Sequence, residues 1–311
     1  MNDKSNIQIS LNDFDSKNIF IFLEPNYKKN LLTAAISKAG SQSKLASMIT
    51  HNINYSLKQP DISRFIFQKN LRLDLAYWLG EFTNTKLGSN EILGFKGTQT
   101  SEMIRSPNLS IPLSKELVQI IANLYCDGSI EENNCYVSTY CNAYRELTER
   151  FKDNFRKCFG QIDFYERYTS VINIRIPCFI GRLLCQKFNI NSDRVPMQII
   201  NSSREIKSAY LQAVFDDEGS IHPTHGQIRI KMKPESYIED IQKLVQEFDI
   251  ETSRVIKEHY KRNERQWNST IKNGYYLVEL IEESELTYDG ILDNPKIKNT
   301  TYDYNDFGNI I

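Results

Sequence analysis

Four acids hold the chemistry that this sequence offers: Asp127, Asp216, Asp217 and Glu218. The last three close the stretch Tyr210-Leu211-Gln212-Ala213-Val214-Phe215-Asp216-Asp217-Glu218-Gly219-Ser220-Ile221. Leu211, Val214 and Phe215 form an apolar stripe at helical spacing. Ser202 with Glu205 three residues on reads as the helix start, and Gly219 as its left-handed stop. Carboxylates in a last turn face the negative end of the helix dipole, which disfavours them. A chain keeps them there when the helix end is fully solvated or when a cation sits against it. Both readings stand on this stretch alone.

A second stretch narrows the choice. Upstream the chain reads Leu117-Val118-Gln119-Ile120-Ile121-Ala122-Asn123-Leu124-Tyr125-Cys126-Asp127-Gly128-Ser129-Ile130. Each stretch has a helical apolar run, a small residue six before a glycine (Ala122, Ala213), an acid directly before it (Asp127, Glu218) and Gly-Ser-Ile at its end. Gly128 and Gly219 are 91 positions apart, the length of one small supersecondary unit. Two copies of a unit in one chain are an internal repeat.

The paired stretches resemble the two motifs of the LAGLIDADG homing endonucleases. The nine family positions fall on Ile120 to Gly128 and on Leu211 to Gly219. The first copy has Asn123 and Tyr125 where the family usually has an apolar residue and an acid, and keeps Asp127 at the functional position. The resemblance covers about Ser114 to Ile281. It implies an α+β fold of two pseudo-symmetric αββαββα repeats that form a DNA-binding saddle. It also implies a monomeric, Mg²⁺-dependent enzyme that cuts both strands of a long double-stranded DNA site. Asp127 and Glu218 would be the catalytic metal ligands, with Asp216 and Asp217 in lesser roles as capping or solvent-exposed acids. The family uses a basic residue near the site. Lys257 is its candidate in the second repeat, and Arg167 a substitute in the first. Carboxylates and backbone carbonyls are hard oxygen donors of the kind Mg²⁺ takes, and metal ions so held activate water and stabilise a leaving phosphodiester oxygen.

The acids need elements that hold them in place. The first motif helix is apolar nearly all round, as a buried helix is. Ser114 caps it. Ala122 and Ala213 would let two such helices approach closely, so that their acidic ends meet. The rest of the first repeat reads as a β-like Cys135–Cys141, a helix over 143–159, strands over 164–168 and 171–176, and a helix over 179–188. The second reads as strands 220–222 and 227–233, a helix 236–248, and strands near 254–260 and 275–281. Its tail shows no clear closing helix. Arg229, Lys231 and Lys233 alternate with Ile230 and Met232, and Asn173 and Arg175 alternate with Ile172, Ile174 and Ile176. Period-two alternation puts the polar side chains on one sheet face, where a strand pair can reach base edges and phosphates in the major groove. Such a face can also be a plain solvated surface. Lys257, Lys261, Arg262 and Arg265 add charge near one edge, and His222 and His225 flank a turn.

Five segments are expected: a lead-in over 1–28, a small all-α helix-turn-helix-like domain over 29–85, a linker over 86–112 with one short strand around Ile92 to Phe95, the first repeat over 113–192, and the second over 193–311 with an irregular tail. In the helical domain, Lys29 onward, Lys44 onward, Pro60 onward and Leu71 to Phe82 read as helices. The polar third one carries Ser63 and Arg64 and would lie in the major groove if the arrangement is of the repressor type. The spacer 50–59 is longer than the usual turn.

Composition sets the remaining bounds. Across 311 residues, 38 Lys and Arg balance 39 Asp and Glu, so a nucleic-acid surface must be local rather than global. No apolar run approaches membrane-spanning length and the N-terminus lacks the form of a signal peptide. A soluble, cytoplasmic protein is expected. The six cysteines show no Cys-x-x-Cys pair and read as reduced thiols. The start at Met1 and the end Asn309-Ile310-Ile311, without splice-junction residues, argue against an intein. Three functions remain in view: a homing endonuclease, a DNA-binding transcriptional regulator that has lost catalysis, and an intron RNA maturase.

Overall fold

The structure is a computed structural model that describes residues 8–68, 70–97, 102–221, 228–260 and 272–279. Its N-terminal part runs β1 (Gln8–Ser10), β2 (Ile19–Leu23), α1 (Pro25–Ala39), α2 (Gln42–Ile53), α3 (Gln59–Phe67), β3 (Leu71–Arg72), α4 (Leu73–Thr83), β4 (Ile92–Gly97), β5 (Met103–Arg105) and β6 (Ser110–Pro112). Gly40, at φ 84°, ends α1, and the Ser41 side chain starts α2 by accepting from the Lys44 N–H. The helix α2 reaches Ile53 and Asn54 turns the chain in the left-handed region, so the expected long spacer is a compact turn over 54–58. Thr50 Oγ1 accepts from the Leu57 N–H across it.

Two sequence expectations are corrected here. The helical domain is not all-α, and 86–112 carries three strands, β4 at the one short strand expected and β5 and β6 beyond it. Strands β3, β2, β4 and β5 form a four-stranded antiparallel sheet in that order, and β6 pairs with β1. The lead-in therefore supplies a strand of this sheet. The physical reason lies in Ile19-Phe20-Ile21-Phe22-Leu23: apolar residues on both faces give no period-two signal, although Ile19, Ile21 and Leu23 are the buried ones.

This N-terminal part docks on the first repeat. The Phe14 ring lies between Phe95 of β4 and Phe179, with centroids 5.7 and 6.3 Å away. Asp15 pairs with Arg182, and Asp13 with Lys187 at 2.8 Å.

The first repeat is α5 (Lys115–Cys126), β7 (Gly128–Glu131), β8 (Val137–Asn142), α6 (Arg145–Phe159), β9 (Tyr165–Tyr168), β10 (Ile172–Ile176) and α7 (Cys178–Phe188). After the short α8 (Met197–Ile200), the second is α9 (Arg204–Glu218), β11 (Gly219–Ile221), β12 (Ile228–Met232), α10 (Glu235–Gln246), β13 (Ile256–Tyr260) and β14 (Lys272–Glu279). The sheet orders β7-β8-β10-β9 and β11-β12-β14-β13 place the first two strands of each repeat identically and keep the later two adjacent. Each sheet turns a buried face to the helices: Ser138, Tyr140 and Asn142 with Ile174 and Ile176 in the first, Ile228 and Ile230 in the second. The fold is thus α+β with two pseudo-symmetric repeats. The tail beyond 279 lies outside the described residues.

Both motif glycines serve a close approach. Gly219 has φ −68° and ψ 142°, extended rather than left-handed, which corrects the expected stop. A Cβ there would sit 2.2 Å from the Phe215 carbonyl oxygen, and one on Gly128 2.5 Å from Leu124 Cα. In each repeat the chain leaves its helix directly into a strand and folds tightly over the last turn, where only hydrogen fits.

Candidate functional site

The two motif helices lie parallel and side by side, as three cross-links along their length establish. Lys115 Nζ meets Glu205 Oε1 at 2.7 Å near the helix starts. Midway, Gln119 Nε2 donates to Gln212 Oε1 at 3.0 Å. Near the ends, Asn123 Nδ2 donates to Asp217 Oδ2 at 2.8 Å. Ala122 and Ala213 are fully buried, as close approach of two backbones requires. The cap of α9 is Ser203, whose Oγ accepts from the Ile206 N–H, rather than Ser202. Glu205 is spent on the pair with Lys115.

Parallel helices of matched length bring their C-terminal ends together. Asp127 ends α5 and Glu218 ends α9, both half-buried. Asn142, at the end of β8, spans the two repeats: its Nδ2 donates to Asp127 Oδ2 at 2.8 Å and to Asp217 Oδ1 at 3.2 Å. Tyr140 OH also donates to Asp217 Oδ1, at 2.9 Å.

The electrostatics reflect the crowding. Burial pushes the Asp217 carboxyl up to about 7, and the charges of Asp127 and Asp216 push the same way against the Asn123 and Tyr140 hydrogen bonds. The Cys126 thiol is raised well above its ordinary range by burial and then by the charges of Asp217, Glu218 and Asp127 together.

Asp216 and Asp217 are neither solvated nor simple caps, which corrects that expectation. They are 1% and 3% exposed. Asp216 forms an ion pair with Arg150 on α6 of the other repeat. Tyr125, the matching position of the first motif, reaches α10 of the second repeat by stacking on Tyr237, with ring centroids 4.0 Å apart. Each motif helix thus pegs the opposite repeat, once by charge and once by aromatic packing. Tyr237 also shares a 2.7 Å hydroxyl contact with Tyr210.

The residues expected to meet DNA divide into several groups. Asn173 and Arg175 lie on the sheet face away from Ile174 and Ile176, in register with Cys141 and Thr139. Asn173 also closes its hairpin, with Nδ2 donating to the carbonyls of Arg167 and Val171. Arg167 is exposed. Arg229 and Lys231 lie on the corresponding face of β12, half-buried, and Lys233 is exposed just past the strand end. Lys257 stands in β13 in the row Met232–Tyr275–Lys257, not in the row of Lys231. Lys261, Arg262, Arg265, His222 and His225 lie outside the described residues. Arg64 is exposed on α3, with Asp61 Oδ1 3.8 Å away.

A divalent cation fits the acidic helix ends by donor chemistry. Two half-buried carboxylates, Asp127 and Glu218, end the paired helices, with oxygen donors of the kind a divalent cation takes. Among the described residues no three His, Cys, Asp or Glu side chains form a complete ion cage. None of the six cysteines is in a disulfide, and among the described residues no helix is long and apolar enough to cross a membrane.

Sequence reading missed Asn142, Tyr140, Asn123, Arg150 and Tyr237. The available signal was Ser138-Thr139-Tyr140-Cys141-Asn142, whose alternate residues are polar yet point inward.

Residues 205–285, within the second repeat, match the LAGLIDADG-like domain family. The chain is also 27% identical over 164 residues to the isomerizing glutamine–fructose-6-phosphate aminotransferase of Methanocaldococcus jannaschii, a match spanning 50% of this chain and 14% of that protein. Among solved structures, the homing endonuclease I-DmoI in complex with DNA and Mn is 10% identical at a TM-score of 0.37, covering 59% of this chain and 97% of its own. The N-terminal LAGLIDADG domain of DUF199/WhiA is 11% identical at 0.39, covering 60% and 87%. The homing endonuclease I-WcaI bound to its DNA recognition sequence is 17% identical at 0.34, covering 60% and 83%. At these values the likeness adds nothing to the fold that the strands and helices define.

Proposed function

We propose that this protein is a divalent-metal-dependent endonuclease of the LAGLIDADG homing type, a cytoplasmic monomer that cuts double-stranded DNA at a specific site. The observation that carries this reading is the meeting of two acidic helix ends, one from each repeat, beneath sheets that bear cations on their outer faces. Duplex DNA has two strands related by an approximate two-fold, and a repeat with one acid per half matches that symmetry.

In this reading Asp127 and Glu218 hold the cation through their carboxylate oxygens. Bound there, Mg²⁺ supplies activation of water and stabilisation of the leaving oxygen. Arg175, Arg229, Lys231, Lys233 and Lys261 meet phosphates and base edges, and Asn173 orders its hairpin at the same surface. Lys257 is the basic residue assigned to the second half. Arg64 on α3 adds a contact outside the saddle.

One observation favours a second reading, a DNA-binding regulator without catalysis. The compact turn between α2 and α3 leaves Arg64 exposed on a short helix, as in helix-turn-helix proteins. The test is incubation of the full chain with Mg²⁺ and duplex DNA spanning the flanks of its own gene. Site-specific double-strand cleavage supports the endonuclease. Tight, specific binding with no cut supports the regulator.

A further inference from the structure

The amide of Asn142 hydrogen-bonds acids of both repeats at the helix ends. Its orientation is not free to reverse. The Tyr144 N–H donates to Asn142 Oδ1 at 3.0 Å, so the oxygen is taken and the NH₂ group must face the carboxylates. From there Nδ2 reaches Asp127 Oδ2 at 2.8 Å and Asp217 Oδ1 at 3.2 Å, with Tyr140 OH at 3.3 Å. Asn142 is itself buried, 3% exposed, at the inward-facing end of β8.

The matching position of the second repeat carries a different residue. The pairings Gly128↔Tyr140 and Gly219↔Ile230 align the strands, and Met232 then falls where Asn142 stands. A thioether has no hydrogen to donate. At this pair of positions only the first repeat has a donor for the acids.

We propose that Asn142 is a positioning residue: its amide fixes the Asp127 carboxylate against α9, so that one oxygen is held and the carboxylate is aimed for cation binding together with Glu218. This rests on the endonuclease reading of the same site. A neutral donor serves here where a lysine or arginine would not, because it orients a carboxylate without supplying the positive charge that would compete with a metal ion.

The test uses the full chain and Tb³⁺ as probe, with luminescence sensitised by nearby tyrosines and displacement by Mg²⁺ as the specificity check. Wild type binds Tb³⁺ and releases it to Mg²⁺. Asn142→Leu, close in size but without donors, weakens Tb³⁺ binding at least tenfold; it lowers the thermal midpoint, since buried partners lose their hydrogen bonds, while circular dichroism keeps the native form. Asn142→Ser keeps one short donor, able to reach one carboxylate and not both, and loses affinity to an intermediate degree. If the Leu variant does not fold, the Ser variant alone decides. Affinity within threefold of wild type in the folded variants overturns the positioning role and leaves the endonuclease reading intact. A wild-type chain that binds no Tb³⁺ overturns that reading and this proposal together.

Discussion

Asp216 on the second motif helix pairs with Arg150 on α6 of the first repeat, and its carboxylate is buried in doing so. The first of the three acids that close the second motif helix is thus an inter-repeat peg. It is set apart in role from Glu218, two residues on.

Removing Arg150 leaves the buried Asp216 carboxylate without this counter-ion, whereas removing Asp216 leaves a half-buried Arg150 that still reaches water. Arg150→Met should cost about 3 kcal/mol and Asp216→Ala less. The double replacement should cost clearly less than the sum, because no charge is then stranded. Urea denaturation of the four proteins measures this. Additive costs would mean that the two residues act independently.

Asp217 gives stability a pH dependence of defined sign. Its carboxyl, raised from 3.8 to about 7 by burial, keeps a proton in the folded state that the unfolded chain has released. Its favourable contribution is complete below about pH 4 and is lost as pH rises toward 7. The slope is of order 1 kcal/mol per pH unit within that window. In chelator-treated protein, Asp217→Asn should flatten the pH profile relative to wild type between pH 4 and 7. Parallel profiles would refute the assignment.

The hydroxyls of Tyr210 and Tyr237 satisfy each other in the interior, 2.7 Å apart. Tyr210→Phe alone should cost about 1–2 kcal/mol, since Tyr237 OH keeps its burial and loses that partner. Converting both to Phe should recover part of the loss. Thermal melts of the single and double variants check the order.

Much of this arrangement could be read from residue patterns. The repeat at Asp127-Gly128 and Glu218-Gly219 located both helix ends, and Ala122 and Ala213 anticipated their close approach. The period-two alternation of Arg229 to Lys233 and of Ile172 to Ile176 assigned the sheet faces. What the patterns could not carry was long-range partnership. Nothing local marks Arg150 as the counter-ion of Asp216, 66 positions away, or Asn142 as the bridge between Asp127 and Asp217. Those pairings exist only once two helices and two sheets are assembled. Local geometry misled twice. Gly219 serves a close contact rather than a left-handed turn, and the domain expected to be all-α contributes Leu71–Arg72 to a sheet with the apolar run Ile19 to Leu23.

Gly128 and Gly219 should tolerate no side chain. Alanine at either position meets the backbone of the preceding helical turn and should cost about 1–3 kcal/mol through forced backbone shift. It should also disturb cation binding, because the acid directly before each glycine moves with the turn. Equilibrium unfolding and Tb³⁺ titration of Gly219→Ala check both effects.

The most direct test of the two-acid site is cleavage by the single-acid variants Asp127→Asn and Glu218→Gln on duplex DNA that the wild type cuts in Mg²⁺, with binding followed in the same samples. Each variant is expected to bind the duplex as tightly as wild type and to make no double-strand break. Double-strand cutting by both variants at the wild-type rate would contradict the assignment of these acids.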